Sequence, residues 1–462
     1  VLAGACALAA PAPVASAHAR LVRAEPPNLA RLSSTPDRVV LAFSEPVQVV
    51  RPGDVRLLDH EGQAARTGGA HTAPRGGRVV TLWLRSRLRP DSWTVRYHVL
   101  SADAHTLSGA VVFAAGGAVL LPPAGGASAG PSETSAWAVD SRFAELVALG
   151  GLLALLAFRW LVWGPALLRA PGLGDAERTR AALEGRRLFW TAFWTAAAVA
   201  GLAEAAVLAV KTDLVFATGL WGALAHPAAA ERLVSASRFG DLLGGRGALL
   251  CAIAMLSFWT WLAEPAMAEP PRGAGGRALP AVVLALLSAG ALGLIAAQGH
   301  ASQAPLPALS IAFDAVHLGA VAVWAGGLAC LGAVLRAAPR VLPAGGPSLA
   351  AAVLGRFSRL AAGAVAVIAA TGLARAAGEL AAPSDLWATP YGRTLILKTL
   401  LLAPVAVLAI RHRRAIAALA VCGRPARARL RRVARDLRAE LAVAMTIVLV
   451  AAVLVGQLPG RA

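Results

Sequence analysis

The stretch GGAVLLPPAGGASAGPSETS, residues 116–135, separates two parts of the chain that differ in hydropathy pattern. Its glycine, proline and serine content is typical of a flexible tether. Short alternating segments precede it and long apolar segments follow it. The sequence therefore predicts a β domain at 18–117, a linker at 118–141 and a helical domain at 142–458.

Five short segments before the tether alternate apolar and polar residues. Pro, Gly and Asp clusters separate them, as turns separate strands. Such spacing indicates a small antiparallel sandwich or barrel. The segments are RVVLAFS (38–44), DVRLLD (54–59), RVVTLWL (78–84), SWTVRYHVL (92–100) and SGAVVFAA (108–115).

Eight apolar segments follow the tether, each close to the roughly 20 residues that a helix needs to cross a hydrocarbon core. The 462-residue chain is 57% hydrophobic and 15% charged, with a mean hydropathy of +0.63, too apolar for a soluble protein. The sequence predicts an all-α polytopic membrane bundle in the lipid bilayer. The predicted spans are 143–166, 188–210, 246–263, 279–297, 308–335, 355–377, 391–410 and 438–457.

The basic residues responsible for the net charge of +19 are distributed as membrane topology requires. Ten arginines lie in the loop 411–438, whereas the loop 298–307 has no Lys, Arg, Asp or Glu. Basic loops stay in the cytoplasm, so alternate loops are predicted inside and both ends of the bundle outside. This placement excludes nucleic acid as a partner and puts the β domain on the extracytoplasmic side of the plasma membrane.

The first 17 residues, VLAGACALAAPAPVASA, have the pattern of the second half of a signal peptide. Cleavage after Ala17 would make His18 the N-terminal residue. Its α-amine and imidazole could then chelate one ion, and this pair of nitrogens suits Cu(II). The alternative is a histidine that stands there by chance.

Asp103 and His105 follow the predicted strand 92–100. In extended backbone they share one side, so a carboxylate and an imidazole could bind the same cation. With His18 they make four N/O ligands, a set that suits Cu(II); the alternative is an ordinary surface turn. Residues 18–140 contain no cysteine, which excludes a thiolate site or a disulfide in that part.

The segments HARLVRAEPPNLARLSSTPDRVVLAFSEPV (18–47) and YHVLSADAHTLSGAVVFAAG (97–116) strongly resemble the CopC family of periplasmic copper-binding proteins. The resemblance implies a small, cupredoxin-like Greek-key β barrel that binds Cu(II) through His18, Asp103 and His105. Glu45, within FSEPV, is a weaker candidate ligand by the same resemblance. The methionine-rich Cu(I) site of many relatives is missing, because the methionines Met255, Met267 and Met445 all lie beyond this domain. The domain should therefore hold a single Cu(II) site.

The later segments GHASQAPLPALSIAFDAVHLGAVAVWAGGL (299–328), FSRLAAGAVAVIAATGLARA (357–376) and YGRTLILKTLLLAPVAVLAI (391–410) resemble the CopD family of copper-resistance or copper-uptake membrane proteins. CopC and CopD domains also occur fused in this order. The resemblance therefore implies a CopC–CopD fusion.

The fifth predicted helix carries ionisable residues at membrane depth. His317 stands nine residues after Ala308, roughly 14 Å along a helix and near the bilayer midplane. Asp314 and His317 share a face with Val321 and Trp324. Ionisable residues at that depth should face the bundle interior.

His317 and Asp314, with His300 at the outer mouth, are therefore candidate copper contacts. The alternative is that Asp314 and His317 only hydrogen-bond to neighbouring helices. Three further charged residues in apolar segments, Glu145, Glu204 and Lys398, would line a path or pair with one another. The remaining histidines are interpreted as surface or loop residues: His60, His71, His98, His226 and His412.

These patterns predict a copper-handling membrane protein without catalytic residues. The β domain would capture Cu(II) outside, and the bundle would transfer or transport copper, with uptake and resistance both open. Copper-donor or copper-acceptor proteins stay open as partners. Two alternatives remain: a copper-dependent oxidase or monooxygenase with a membrane electron-transfer module, and a copper sensor or scaffold without flux. A bis-histidine haem bundle is disfavoured, since only His300 and His317 lie near the outer half.

Overall fold

The protein consists of a β domain followed by a helical bundle, seen in a computed structural model. The structure describes residues 19–51, 53–73, 76–101, 105–124, 134–264, 275–304, 306–342, 345–380, 382–405, 407–408, 411 and 427–457.

Eight strands form one twisted, mostly antiparallel sheet with the order β2-β8-β7-β3-β6-β5; β1 also pairs with β3, and β4 with β7. The five predicted strands are confirmed, and three further strands join them. The bounds are β1 Leu21–Glu25, β2 Ala30–Leu32, β3 Arg38–Gln48, β4 Val55–Leu58, β5 Thr67–His71, β6 Gly77–Leu84, β7 Asp91–Ser101 and β8 Thr106–Ala115.

The β domain has its own hydrophobic core. Alternate residues of β3 are buried, as expected for a strand with one face inward. The aromatic rings of Phe43 and Tyr97 meet edge to face, with centroids 5.5 Å apart. Trp93 and Phe113, paired across β7 and β8, are also buried in this core. The domain thus has the closed core that an independent folding unit needs.

The start of the predicted linker is part of the β domain. Leu121 and Ala124 donate backbone hydrogen bonds to the Ser92 and Thr94 hydroxyls of β7, at 3.0 and 2.9 Å. The first helix begins at Ala136, six residues before the predicted boundary, because the Ser135 side chain caps it.

The described part of the bundle contains long helices and several short ones. Their bounds are α1 Ala136–Ala157, continued by a π-helical turn Phe158–Trp163 and α2 Gly164–Arg169; α3 Asp175–Phe216; α4 Leu220–Ala225; α5 Pro227–Ala236; α6 Arg238–Ala263; α7 Gly275–Gln298; a 3₁₀ turn His300–Gln303; α8 Pro307–Val341; α9 Gly346–Glu379; α10 Asp385–Ala388; α11 Pro390–Leu400; and α12 Arg427–Val455.

Within the described ranges, seven helices are long and apolar enough to cross a membrane, against about eight predicted. The difference lies at 391–410, where residues 406, 409 and 410 fall outside the described residues and a turn at Leu401 separates α11 from the helical residues 402–405. Pro404 explains the break, because it has no N–H to donate to the Leu400 carbonyl and its ring clashes there.

The C-terminal ends of α3 and α12 lie beside the β domain. Phe216 at the end of α3 and Val455 at the end of α12 each accept a hydrogen bond from a β-domain side chain. We call this the outer end of the bundle. Because α1 also starts there, the chain crosses the bundle an even number of times, so the region of α11 must carry it back between α9 and α12.

Small residues bring α1 and α8 into close contact. A Cβ atom on Gly326 would overlap the Ala154 side chain, and one on Gly150 would lie 3.2 Å from Ala322. Close backbone approach at small residues is a common way for membrane helices to associate.

Gly326→Val is therefore expected to destabilise the bundle by about 1–3 kcal/mol through overpacking. Gly363→Val on α9 is the matched control, since no atom lies within 4 Å of its added Cβ. Thermal unfolding of both purified variants in detergent should show a lower Tm for Gly326→Val alone. Equal Tm values would contradict this packing argument.

Candidate metal site and membrane cavity

Two of the four predicted ligands of the β domain lie within the described residues. His105 precedes β8, and Glu45 lies on β3 with 5% of its surface exposed. His18 and Asp103 fall outside the described residues. Within the described part of the chain, no group of three or more His, Cys, Asp or Glu side chains could hold a metal ion.

Strand pairing brings the chain segments of this site to one end of the domain. Val47 of β3 pairs with Ser101 of β7, and Leu100 pairs with Thr106 of β8. The Ser101 N–H and hydroxyl both donate to the His105 carbonyl, at 2.8 and 3.0 Å. The backbone on both sides of residue 103 is thus fixed next to the end of β3.

The N-terminal end of the described chain reaches the same place. The Arg20 N–H donates to the Ser44 hydroxyl at 3.0 Å, and the Ser44 N–H donates to the Arg20 carbonyl at 2.9 Å. Ser44 is the neighbour of Glu45. The part of the described chain closest to His18 therefore lies beside the β3 backbone next to Glu45.

The His105 side chain also contacts the membrane bundle. Its Nε2 atom lies 3.1 Å from the carbonyl oxygen of Val455, the last residue of α12. A carbonyl only accepts, so Nε2 donates and carries the proton in this arrangement. A neutral imidazole protonated on Nε2 keeps its lone pair on Nδ1, the nitrogen that can bind a metal.

Other contacts hold the β domain against the outer end of the bundle. The Arg51 guanidinium donates from Nη1 to the Phe216 carbonyl at 3.0 Å, and Asp54 orients it through an Nε–Oδ1 contact of 2.5 Å. Leu100 is buried in an apolar cluster with residues of α3, α5 and α6. The end of the β domain that carries His105 therefore faces the helices.

A cavity of about 610 Å³ begins at His105 and follows the length of the bundle. Its walls come mainly from α1, α3, α8 and α12, and it ends near Trp163 and Ala181 at the inner end. Most of its lining is apolar. Polar and charged side chains are concentrated in the outer half: Ser141, Arg142, Glu145, Lys211, Gln298, Asp314, His317, Arg375 and Lys398.

Asp314 and His317 lie on the cavity side of α8, as predicted, and both are buried. His317 Nδ1 lies 2.8 Å from the Thr371 hydroxyl of α9, and that hydroxyl lies 2.6 Å from the Val367 carbonyl. The hydroxyl has one proton, which it donates to Val367, so His317 Nδ1 donates to Thr371. The Nε2 lone pair of His317 is then the one available to a metal ion.

The Asp314 carboxylate pairs with the guanidinium of Arg375 rather than with His317. Its Oδ1 atom lies 2.6 Å from Nε of Arg375, one turn after Thr371 on α9. Copper at this carboxylate would therefore compete with a guanidinium. Thr371 and Arg375 were missed from the sequence, although their i,i+4 spacing on α9 was the available signal.

Two predicted buried carboxylates, Glu145 and Glu204, meet at a residue that the sequence analysis missed. Arg246 of α6 contacts both and is completely buried. Its position at the edge of a predicted span made it resemble an interfacial arginine. Lys398 of α11 lines the cavity, which is one of the two positions predicted for it.

The other histidines have varied surroundings. The backbone of His300 lies in the 3₁₀ turn between α7 and α8 at the outer end. His60 Nδ1 hydrogen-bonds to Asp91 at 2.8 Å, which raises the pKa of His60. His98 packs against the end of α3, where burial lowers its pKa. His71 is exposed, His226 lies between α4 and α5, and His412 falls outside the described residues.

Two family models match parts of this chain. Residues 21–116 match the CopC domain, and residues 351–454 match Copper resistance protein D, CopD. The β domain and the later helices thus match separate copper-related families in the predicted order.

Individual proteins are similar over different lengths. Copper transport protein CutJ of Bacillus subtilis is 25% identical over 440 residues, which cover 95% of this chain and 73% of CutJ. Protein YobA of Escherichia coli is 28% identical over 97 residues, 21% of this chain and 77% of YobA.

Two solved structures are each similar to about a fifth of this chain. CopC from Methylosinus trichosporium is 29% identical with a TM-score of 0.19, covering 21% of this chain and 93% of that one. PcoC from Escherichia coli is 19% identical with a TM-score of 0.19, covering 21% of this chain and 98% of that one.

Proposed function

Because the chain joins a CopC domain to a CopD region, we propose that it captures Cu(II) on the β domain and passes copper through the bundle. Copper handling is common to the matched families, and the long similarity to a copper transport protein extends through both parts. The names of these relatives describe transport and resistance rather than an enzymatic reaction. The chain is a multi-span membrane protein, and we place its β domain outside the cytoplasm.

The capture site would consist of His18, Asp103 and His105, with Glu45 as a weaker ligand. Support comes from the convergence of the chain next to Glu45, where hydrogen bonds of 2.8 to 3.0 Å hold Arg20, Ser44 and Ser101. Nitrogen and oxygen donors of this kind suit Cu(II).

The observation that carries the transport step is the position of His105. One imidazole belongs to the predicted capture site, contacts α12 and lines the outer end of the cavity. Copper released from the β domain would reach the cavity without crossing bulk water. His317 would be the next ligand inside, with His300 near the mouth as a weaker candidate.

A bulky side chain placed in the cavity tests this proposal. Val321→Trp on α8 should narrow the cavity one turn below His317 and lower copper flux at least about tenfold. Val316→Trp is the matched control, because Val316 lies on the same helix with 53% of its surface exposed. Copper accumulated by cells, normalised to membrane protein level, is the measurement.

Equal copper accumulation by the two tryptophan variants would contradict a route through this cavity. A sensor or scaffold without flux predicts that neither variant, nor deletion of the protein, changes accumulation. The sign of the change in wild-type cells distinguishes uptake from resistance.

A further inference from the structure

Arg246 is the centre of a polar cluster that joins four helices. Its Nη2 atom lies 3.1 Å from Glu145 Oε1 of α1, and its Nε atom lies 2.9 and 3.1 Å from the two carboxylate oxygens of Glu204 of α3. Its Nη1 atom donates to Gln298 Oε1, at the end of α7, at 2.7 Å. The side chain of Arg246 has no exposed surface. One guanidinium therefore contacts two carboxylates inside the bundle.

The two carboxylates differ in their surroundings. Glu204 accepts hydrogen bonds from Arg246 and does not line the cavity. Glu145 lines the cavity with 5% of its surface exposed, and its Oε1 atom has no hydrogen-bond partner among the described residues. Its contact with Arg246 is ionic only. Glu145 is thus a buried carboxyl group on the cavity wall, and its Oε1 atom contacts Arg246 without forming a hydrogen bond.

Charge balance favours the binding of an exchangeable cation at the Glu145 carboxylate. A buried charge is costly unless it is paired, and one guanidinium compensates one carboxylate. While Arg246 compensates Glu204, burial favours a proton or another cation on the Glu145 carboxyl. Such pairs of carboxyl groups commonly hold a shared proton.

Nearby cations keep that proton exchangeable. Arg142 lies one turn outward on the same helix, and Lys211 of α3 lines the cavity farther outward than Glu204. Both favour the ionised form of Glu145, so the proton is not held permanently. Among the described lining residues, the polar side chain that α7 contributes is the neutral Gln298, and those of α12 are apolar. The other titratable or charged groups on the outer half of the cavity are His105, Asp314, His317, Arg375 and Lys398.

We propose that Glu145 is a proton-exchange site that couples copper movement to an opposite movement of protons. When a copper ion reaches the outer half of the cavity, the Glu145 O–H bond breaks and the proton passes to cavity water. The electron pair stays on the carboxylate, which then stabilises the ion, and nothing is oxidised or reduced. After copper leaves, Glu145 regains a proton from the other side. This inference rests on the proposed transport function.

Copper accumulation in vesicles under a pH gradient tests the exchange. The full-length protein is reconstituted in liposomes and given copper chloride, with and without ascorbate, at gradients of about one pH unit in each direction. Vesicle copper is measured by mass spectrometry. One-for-one exchange of singly charged ions should change the final copper ratio by up to about tenfold per pH unit. Reversing the gradient should reverse the change.

Three variants assign the effect to Glu145. Glu145→Gln cannot release a proton and should accumulate copper independently of the gradient. Glu145→Asp keeps an ionisable group and should retain the dependence. Glu204→Gln leaves Arg246 to compensate Glu145 alone, so Glu145 no longer needs a proton and this variant should lose the dependence as well.

The outcomes separate this inference from the transport proposal. Wild-type vesicles that take up copper with no response to the gradient would overturn the inference and leave transport intact. A persistent response in Glu145→Gln would overturn the assignment to this residue. Wild-type vesicles that take up no copper would contradict transport, and the inference with it. The wild-type measurement decides even where a variant does not insert.

Discussion

One residue added before His18 is expected to lower the Cu(II) affinity of the β domain at least about a hundredfold, or ~2.7 kcal/mol. The addition moves the α-amine away from the imidazole and removes a two-nitrogen chelate, which suits Cu(II). His105→Ala should have a similar effect and Asp103→Ala a smaller one, since imidazole is the better Cu(II) ligand. Isothermal titration of residues 18–124, beginning at His18 and including the Leu121 and Ala124 contacts to β7, measures each affinity.

An exposed histidine of the same domain provides the control. His71 stands at the end of β5, is exposed and belongs to no predicted ligand set, so His71→Ala should bind Cu(II) as the wild type does. Adding one residue at the C-terminus should also have no effect. Equal affinity for the N-terminally extended and unextended domains would rule out the amine as a ligand.

Alternation predicted the strands that fill the core and missed those that close the edges. β3 and β7 are long and most of their inward positions are apolar, so the pattern is strong. β2 is the three-residue ARL, paired in parallel with β8, and β5 is TGGAH. β2 is too short to show an alternating pattern, and the two glycines of β5 interrupt one. These two strands therefore form because they pair with their neighbours in the sheet.

The helical part shows where hydropathy stops being sufficient. Composition made 391–410 one continuous helix, whereas a turn at Leu401 interrupts the helix in a region that still carries the chain across the bundle. The docking of the β domain was also unexpected, because the tether at 116–135 suggested independent movement. Arg51 and Leu100 make that contact, and both look like ordinary residues of a strand end or loop.

Helical spacing predicted which residues of α8 face the interior, but it could not supply their partners. Asp314 and His317 were each assigned to the same face, and both line the cavity. Their partners Arg375 and Thr371 come from α9, more than 50 positions away. Contacts of this range depend on how helices pack, which a single sequence does not determine.

His317→Ala is expected to reduce copper flux through the bundle at least about tenfold, because loss of a metal ligand or its support typically costs 10–100-fold. His317 is buried at the cavity wall, and its hydrogen bond to Thr371 leaves Nε2 as a ligand atom. His300→Ala should also lower flux. Asp314→Asn should lower it less, since the Asp314 charge is already paired with Arg375. Copper accumulation normalised to membrane protein level measures all three.

Thr371→Val separates a ligand role of His317 from a structural one. It removes the same 2.8 Å hydrogen bond but keeps the imidazole, and one such bond contributes only about 1 kcal/mol to stability. If His317 binds copper, Thr371→Val should keep most of the flux while His317→Ala loses it at equal protein level. If His317 only joins α8 to α9, both variants should lose protein in parallel, and flux per molecule should stay constant. Cu(II) loading of the β domain should be unchanged in both, because its ligands belong to a separate core.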